Sequence, residues 1–248
     1  MGMRFRKEAW EKKMTKSGVS WRSPVKIASD FLWEEIDNAA KKYAHGNLID
    51  LGCGTKPYES LFKPYVNHYF GVDWEQTSEL HYGTETTADL FADCTNTKLA
   101  EGSFDTLLST QVMEHIYDTD AYLRECNRLL RKDGIGIFTV PFVWETHAEP
   151  YDFYRFTRYA LGKLLVDHGF EIIKIEPIAG TYATLIQLKI TSLYFRTSKN
   201  FSYKVFRKLR NGIFIPILNL MALSLDKRLW SDKLCLNYLI IAKKIMGI

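Results

Sequence analysis

The 248-residue sequence predicts an α/β fold, a doubly wound sheet of seven strands with an N-terminal helical extension and a C-terminal helical insert between the last two strands. Three observations predict it. From residue 47 onward, short apolar runs alternate with stretches of helical spacing, the pattern of a parallel sheet built from βαβ units. The first of these runs ends in an acid and a glycine turn ahead of a helix. The chain, 46% apolar and 25% charged, has material for a sizeable core without disulfide or metal staples. With only 15 Gly and 7 Pro and no low-complexity tract or internal repeat, disordered and fibrous classes are excluded.

The elements follow in order. Ser23 as N-cap and Pro24 at the first helical position open a leading helix through Val25, Ile27, Ala28, Phe31, Leu32, Ile36 and Ala39, ending within residues 43–46. Strands are expected at 47–51, 68–72, 88–92, 104–109, 134–140, 171–177 and 236–242. Helices are expected near 58–66, 119–130 and 157–168; in the second, Tyr122, Leu123, Cys126, Leu129 and Leu130 recur at helical spacing. Asp133-Gly134 and His168-Gly169 read as helix stop signals. The roughly 55 residues between the last two strands exceed an ordinary loop and read as a helical insert or cap at 178–232. The domain reading is therefore an extension at 1–46 and one domain at 47–248 that contains the insert.

Lys plus Arg number 33 against 29 acidic residues, and a net charge of +4 does not by itself indicate a nucleic-acid binder. The four cysteines (Cys53, Cys94, Cys126, Cys235) are far apart, without C-x-x-C or histidine at ligand spacing. They argue against a disulfide framework and a zinc site, predict no metal, and suit a reducing cytoplasm. Residues 1–16 mix basic and single apolar residues and do not read as a secretory signal. The longest apolar candidate for a membrane span is interrupted by Pro216 and Asn219.

The strongest chemical signal is Asp50-Leu51-Gly52-Cys53-Gly54-Thr55-Lys56-Pro57, at the end of an apolar strand. Gly52 and Gly54 allow a sharp turn and a close ligand approach. A dinucleotide turn would carry glycine at position 57, where Pro57 stands, so the ligand is a nucleoside without a pyrophosphate. Asp73, ending the next strand about 20 residues further on, is placed to accept from both ribose hydroxyls. The bland alternatives are glycines used for packing and an acid that begins a turn.

These segments, with Asp93-Cys94 and the Ser103-Phe104-Asp105 to Val112-Met113-Glu114-His115 stretch, resemble the ordered motifs of class I S-adenosylmethionine-dependent methyltransferases. The resemblance runs through residues 47–177 and departs from the family where Lys56 replaces the third glycine of the first motif. It implies a Rossmann-like methyltransferase sheet and S-adenosyl-L-methionine as cofactor, with S-adenosyl-L-homocysteine as product. Its implied cofactor residues are Asp50, Gly52, Cys53, Gly54, Lys56, Asp73 on the ribose, Trp74 beside the adenine, Asp93 and Cys94 at the adenine edge, Ser109 and Gln111.

Beyond the fifth strand, His147-x-x-Pro150-Tyr151-Asp152-x-x-Arg155-x-Thr157 is similar to a run in the type 11-like subgroup associated with surface-glycan or lipid-linked sugar biosynthesis. The resemblance implies an oxygen acceptor on a small molecule, sugar or lipid-linked sugar. His147 is the first candidate base, since imidazole titrates near pH ~6.5; the alternative is a histidine that fixes its loop. His115 is the second, with a positioning role as its alternative. His147, Tyr151, Asp152, Tyr154 and Arg155 are the candidate acceptor residues.

From Pro177 to Leu225 the sequence holds no acid but seven basic residues (Lys189, Arg196, Lys199, Lys204, Arg207, Lys208, Arg210) interleaved with aromatic and aliphatic ones. That composition fits peripheral contact with an anionic membrane at the inner face. A cap over the active site and an RNA groove are the alternatives. Two other functions stay in view: a tRNA methyltransferase, disfavoured by the weak charge, and a cofactor-binding scaffold or sensor without transfer activity.

Overall fold

The computed structural model describes residues 17–76, 87–194 and 206–247. Residues 1–16 of the extension, His81, and Phe195, Arg196, Lys199, Phe201, Tyr203, Lys204 and Val205 of the insert lie outside the described residues.

Helix α1 (Lys26–Tyr43) leads into strand β1 (Asn47–Leu51), the one-turn helix α2 (Glu59–Phe62), β2 (His68–Asp73), β3 (Leu90–Phe91) and β4 (Phe104–Thr110). A 3-10 turn (Met113–His115), α3 (Thr119–Leu129), β5 (Leu130–Pro141), α4 (Arg158–Asp167) and β6 (Phe170–Ile178) follow. Then come α5 (Thr181–Tyr194), a π-helical turn (Arg210–Phe214), α6 (Ile215–Arg228) and β7 (Asn237–Lys244). The seven strands form one sheet in the order β3-β2-β1-β4-β5-β7-β6. In β1, Leu48, Ile49 and Leu51 are wholly buried, as expected of a central strand covered on both faces.

The sheet is mixed where the alternation suggested parallel strands. β7 runs antiparallel to β5, with Gly136 opposite Ala242 and Thr139 opposite Leu239. The reason lies in the insert: the Leu236 N–H donates to the Ile178 carbonyl (3.2 Å), so the chain returns where it left β6 and must run back. The Ile245 N–H reaches the Gly169 carbonyl (3.0 Å) at the other end.

Helix α1 begins at Lys26, not at Pro24, and the Ser23 hydroxyl accepts from the Val25 N–H (3.3 Å) in the turn before it. Three further boundaries differ from expectation for local reasons. α2 closes after one turn because Pro64 follows and cannot continue it. β3 contributes only two paired residues rather than five. α3 stops at Leu129, before the Asp133-Gly134 pair, which lies within β5 with Asp133 at φ 66°. The buried Lys244 ammonium takes over the helix end, donating to the carbonyls of Asn127 (2.7 Å) and Leu130 (2.8 Å). At α4 the Thr157 hydroxyl accepts from the Ala160 N–H (3.2 Å), and Gly169 takes the left-handed turn at φ 76°.

The described residues group into two compact units, one within Met1–Glu35 and Pro177–Leu236, the other within Ile36–Glu176 and Asn237–Ile248. The second holds the sheet. In the first, polar side chains tie the segments together: Gln187 Nε2 donates to the Pro24 carbonyl (2.6 Å) and Asn219 Nδ2 to that of Trp21 (2.8 Å). Arg210, 2% exposed, donates to the Leu193 and Tyr194 carbonyls at the end of α5, so it is withdrawn from the basic surface to which the sequence assigned it. Among the described residues no helix is long and apolar enough to cross a membrane.

Candidate active site

β1 and β4 are neighbours, and from them the chain order runs outward in opposite directions. Such a switch point opens a crevice at the carboxyl ends of the strands. Here a cleft of about 760 Å³ lies there, lined by the turn after β1, the ends of β2 and β4, and the loop after β5.

The glycine turn is built for close approach. Gly52 takes φ 76°, and a Cβ there would lie 2.3 Å from Val112 Cγ2. Gly54 takes φ 52°, and a Cβ would meet nothing within 4 Å, because that side faces the cleft. The Gly54 N–H donates to Asp73 Oδ2 (2.7 Å) and the Trp74 N–H to Asp73 Oδ1 (2.7 Å). Two charge-assisted bonds thus hold a buried carboxylate at the cleft wall. Asp93 Oδ1 accepts from both the N–H and the hydroxyl of Thr95 (2.7 Å each), and Asp93 and Cys94 line the cleft beside it. Burial pushes the Cys94 thiol up to about 12, so it stays protonated. Gln111, at φ 57°, lines the cleft and donates through Nε2 to the Thr139 hydroxyl (3.2 Å).

Of the residues singled out by sequence, Gly52, Cys53, Gly54, Asp73, Trp74, Asp93, Cys94, Gln111, His115 and Tyr151 line this cleft. The rest do not line it. Asp50 is buried under the turn, accepting from the Tyr69 hydroxyl, and burial pushes its carboxyl up to about 7. Ser109 bridges strands and helix, donating to the Leu51 carbonyl (3.2 Å) and accepting from the Tyr122 hydroxyl (2.7 Å). Lys56 pairs with Asp89 (2.6 Å), which also accepts from the Gly71 N–H (2.7 Å), and so pins the loop before β3.

The loop after β5 alternates. Tyr151 and Phe153 line the cleft, while Asp152 faces the other way and makes a bidentate pair with Arg155 (2.6 and 2.8 Å). Burial pushes the Asp152 carboxyl up, yet Arg155 and the His147 N–H outweigh it and hold the group below the usual range. Tyr154 donates to the Tyr117 carbonyl (2.9 Å). Asp152, Arg155 and Tyr154 thus shape the loop. Tyr117 and Phe153, whose rings meet edge-on at 5.4 Å, line the cleft without having been singled out. The period-two alternation of an extended segment, read across 151–154, was the signal for Phe153.

His115 lines the cleft and His147 stands directly behind it, the two rings edge to face at 4.7 Å. Both approach Glu114: His115 Nε2 lies 3.6 Å and His147 Nε2 4.0 Å from Glu114 Oε1. Glu114 is fully buried, neither of its carboxylate oxygens has a hydrogen-bond partner, and burial pushes the group up to about 8. Sequence reading took Glu114 only as part of a motif. Its place between the two imidazoles arises from the fold.

Residues 49–138 match a family described as a methyltransferase domain. A probable S-adenosylmethionine-dependent methyltransferase of Mycobacterium tuberculosis is 25% identical over 132 residues, 50% of this chain and 48% of the relative. A ubiquinone biosynthesis O-methyltransferase of Neisseria meningitidis is 31% identical over 101 residues, 37% of this chain and 42% of the relative. The chain thus spans about half or less of the length of these curated relatives. Among solved structures, the [4+2]-cyclase SpnF superposes with a TM-score of 0.57 at 17% identity, covering 92% of this chain and 86% of that one. An S-adenosylmethionine-dependent methyltransferase from Archaeoglobus fulgidus gives 0.53 at 18% identity, covering 89% and 97%. At these identities the structures establish the fold alone.

Proposed function

We propose that this chain, which carries a class I S-adenosylmethionine-dependent methyltransferase domain, transfers a methyl group to a hydroxyl oxygen of a sugar or lipid-linked small molecule. The observation that supports this reading best is the buried Asp73 carboxylate, held at the cleft wall by the N–H groups of Gly54 and Trp74. Asp73 would hold the ribose, Trp74 and Tyr151 the adenine face, Asp93 and Cys94 the adenine edge, and the Gly52–Gly54 backbone the amino-acid end. When bound, S-adenosylmethionine supplies a methyl group already activated on its sulfonium. The chain's own work is to align the acceptor and manage its proton. That proton is lost at the Glu114, His115 and His147 cluster, which reaches the cleft through His115. Tyr117 and Phe153 offer the acceptor an aromatic wall.

Oxygen as acceptor atom draws on the O-methyltransferase relative. A lipid-linked or membrane-borne acceptor draws on the helical segment from Phe206 to Met221, read as peripheral to a cytoplasmic anionic membrane. Its buried stripe includes Arg210, Ile215 and Asn219, whereas Phe206, Leu209, Ile213, Phe214, Ile217, Leu220 and Met221 are exposed beside the exposed Arg207 and Lys208. Apolar side chains outward with flanking cations suit a lipid interface.

The chemical test incubates the protein with methyl-labelled S-adenosylmethionine and separate lipid and soluble cell extracts. Label in an alkali-stable product whose labelled methyl is shown by NMR to sit on oxygen, a methyl ether, is the expected result, and a methyl on nitrogen or carbon overturns it. Label released as methanol by alkali, or no label in any product, overturns the reading. The membrane contact is tested by sedimentation with anionic vesicles. Arg207→Glu, Lys208→Glu and Phe214→Asp together should abolish it, and undiminished binding would remove the membrane from the account.

A further inference from the structure

The three groups beside the cleft make an arrangement that deprotonation alone does not require. Glu114 is a wholly buried carboxylate with two oxygens lacking hydrogen-bond partners, a costly condition for a polar group. Two imidazoles converge on it, and one atom from each of the three groups lies within 4.8 Å of the others. The far side of each ring faces a backbone carbonyl: His115 Nδ1 lies 2.6 Å from the Tyr151 oxygen and His147 Nδ1 3.1 Å from that of Glu145, closer than Asp152 Oδ2 and Arg155 Nη2, each at 3.5 Å from His147 Nδ1. A proton on each Nδ1 satisfies those contacts and leaves each Nε2 as an electron-pair donor directed at Glu114. Imidazoles held through Nδ1–H by a carbonyl, with Nε2 turned inward, are the outer-shell pattern of metal-ligating histidines.

We propose that Glu114, His115 and His147 form a binding site for a first-row divalent cation such as Zn²⁺, Mn²⁺ or Fe²⁺. Two imidazoles and one carboxylate suit these ions, whereas Mg²⁺ and Ca²⁺ favour all-oxygen sets. An ion about 2.1 Å from each donor requires neighbouring donors about 3.0–3.4 Å apart. The carboxylate–imidazole separations of 3.6 and 4.0 Å, and an imidazole–imidazole separation within 4.8 Å, close onto the ion by side-chain rotation. The cation would reverse the cost of burying Glu114. Because His115 lines the cleft, the site borders it.

The role of the ion rests on the methyltransferase reading. The acceptor hydroxyl binds an open position, the ion lowers its pKa, and its proton passes to water. The resulting oxyanion forms the new C–O bond as the methyl–sulfur bond breaks and its electron pair returns to sulfur.

The test titrates the metal-stripped full chain with Co²⁺, chosen for its visible absorption, and with Mg²⁺ as comparison. One equivalent of Co²⁺ should bind, with bands of a nitrogen- and oxygen-ligated ion, and Mg²⁺ at equal concentration should not displace it. Glu114→Gln and His147→Ala should each weaken Co²⁺ binding by at least about 100-fold. Absence of saturable Co²⁺ binding, or affinity unchanged in both variants, overturns the site. S-adenosylhomocysteine affinity, measured on the same samples, verifies folding and separates the two claims. If it binds while Co²⁺ does not, the metal site alone fails. If Co²⁺ binds as expected and it does not, the site stands and the methyltransferase reading fails.

Discussion

The Tyr151 ring meets the Trp74 ring edge-on, with centroids 5.1 Å apart and planes at 86°. Trp74 follows β2 and Tyr151 lies in the loop after β5, so the loop read from sequence as acceptor-binding also closes the side of the cleft proposed for the nucleoside. An edge-to-face pair of this kind contributes about 0.5–1.5 kcal/mol beyond its buried area. Tyr151→Ala should therefore weaken S-adenosylhomocysteine binding roughly 3- to 10-fold, and Tyr151→Phe should keep it, as read by calorimetric titration. Equal affinity in the alanine variant would place the loop outside the nucleoside site.

Asp73 carries more. Replacing it with Ala removes a charged acceptor, an effect of about 1–3 kcal/mol in cofactor binding, or roughly 5- to 150-fold. The same change strips the Gly54 and Trp74 N–H groups of their acceptor, so a smaller loss of stability should accompany it. Full affinity in Asp73→Ala would remove this carboxylate from the site.

The two glycines of the turn should fail differently. Gly52→Ala meets Val112 and a left-handed φ, so overpacking and backbone strain should lower stability by about 2–4 kcal/mol. Gly54→Ala meets no neighbouring atom and should cost about 1 kcal/mol in stability, yet its methyl enters the cleft and should weaken cofactor binding at least tenfold. Denaturant unfolding and calorimetry on both variants give the comparison. A Gly54 variant that binds normally would show that the ligand does not approach this backbone.

Asp50 predicts a pH dependence. Its folded pKa, about 7, lies above its ordinary 3.8, so across that interval the folded chain holds a proton the unfolded chain has released. Its contribution to stability is complete below the lower value and is lost as pH rises toward 7, with a slope of at most about 1.4 kcal/mol per pH unit. Asp50→Asn should flatten the stability profile between pH 5 and 7. An unchanged slope, measured by urea unfolding, would contradict the account of this carboxyl.

Much of this architecture was legible because it depends on local pattern. β1 is rich in apolar residues because both its faces are covered, and Gly169 ends its helix where its backbone chemistry dictates; Pro64, by contrast, closes a helix that the spacing carried to residue 66. The direction of β7 was not legible, since it depends on where a long insert returns. Nor was Lys244 at the end of α3, a contact between residues far apart in the chain. In the site, the glycines and Asp73 announced themselves through spacing. Asp152 and Arg155 carried the same polar signal as ligand contacts, but their mutual pair is visible only in three dimensions. The convergence of Glu114, His115 and His147 is likewise a product of the fold.

The central claim is that the cleft at the ends of β1, β2 and β4 receives S-adenosylmethionine. Calorimetric titration of the folded protein with S-adenosylmethionine and S-adenosylhomocysteine, with NAD as comparison, tests it most directly. Saturable one-to-one binding of the first two, absent for NAD and weakened in Asp73→Ala, is the predicted result. No binding of either by demonstrably folded protein, or binding indifferent to Asp73, would contradict it.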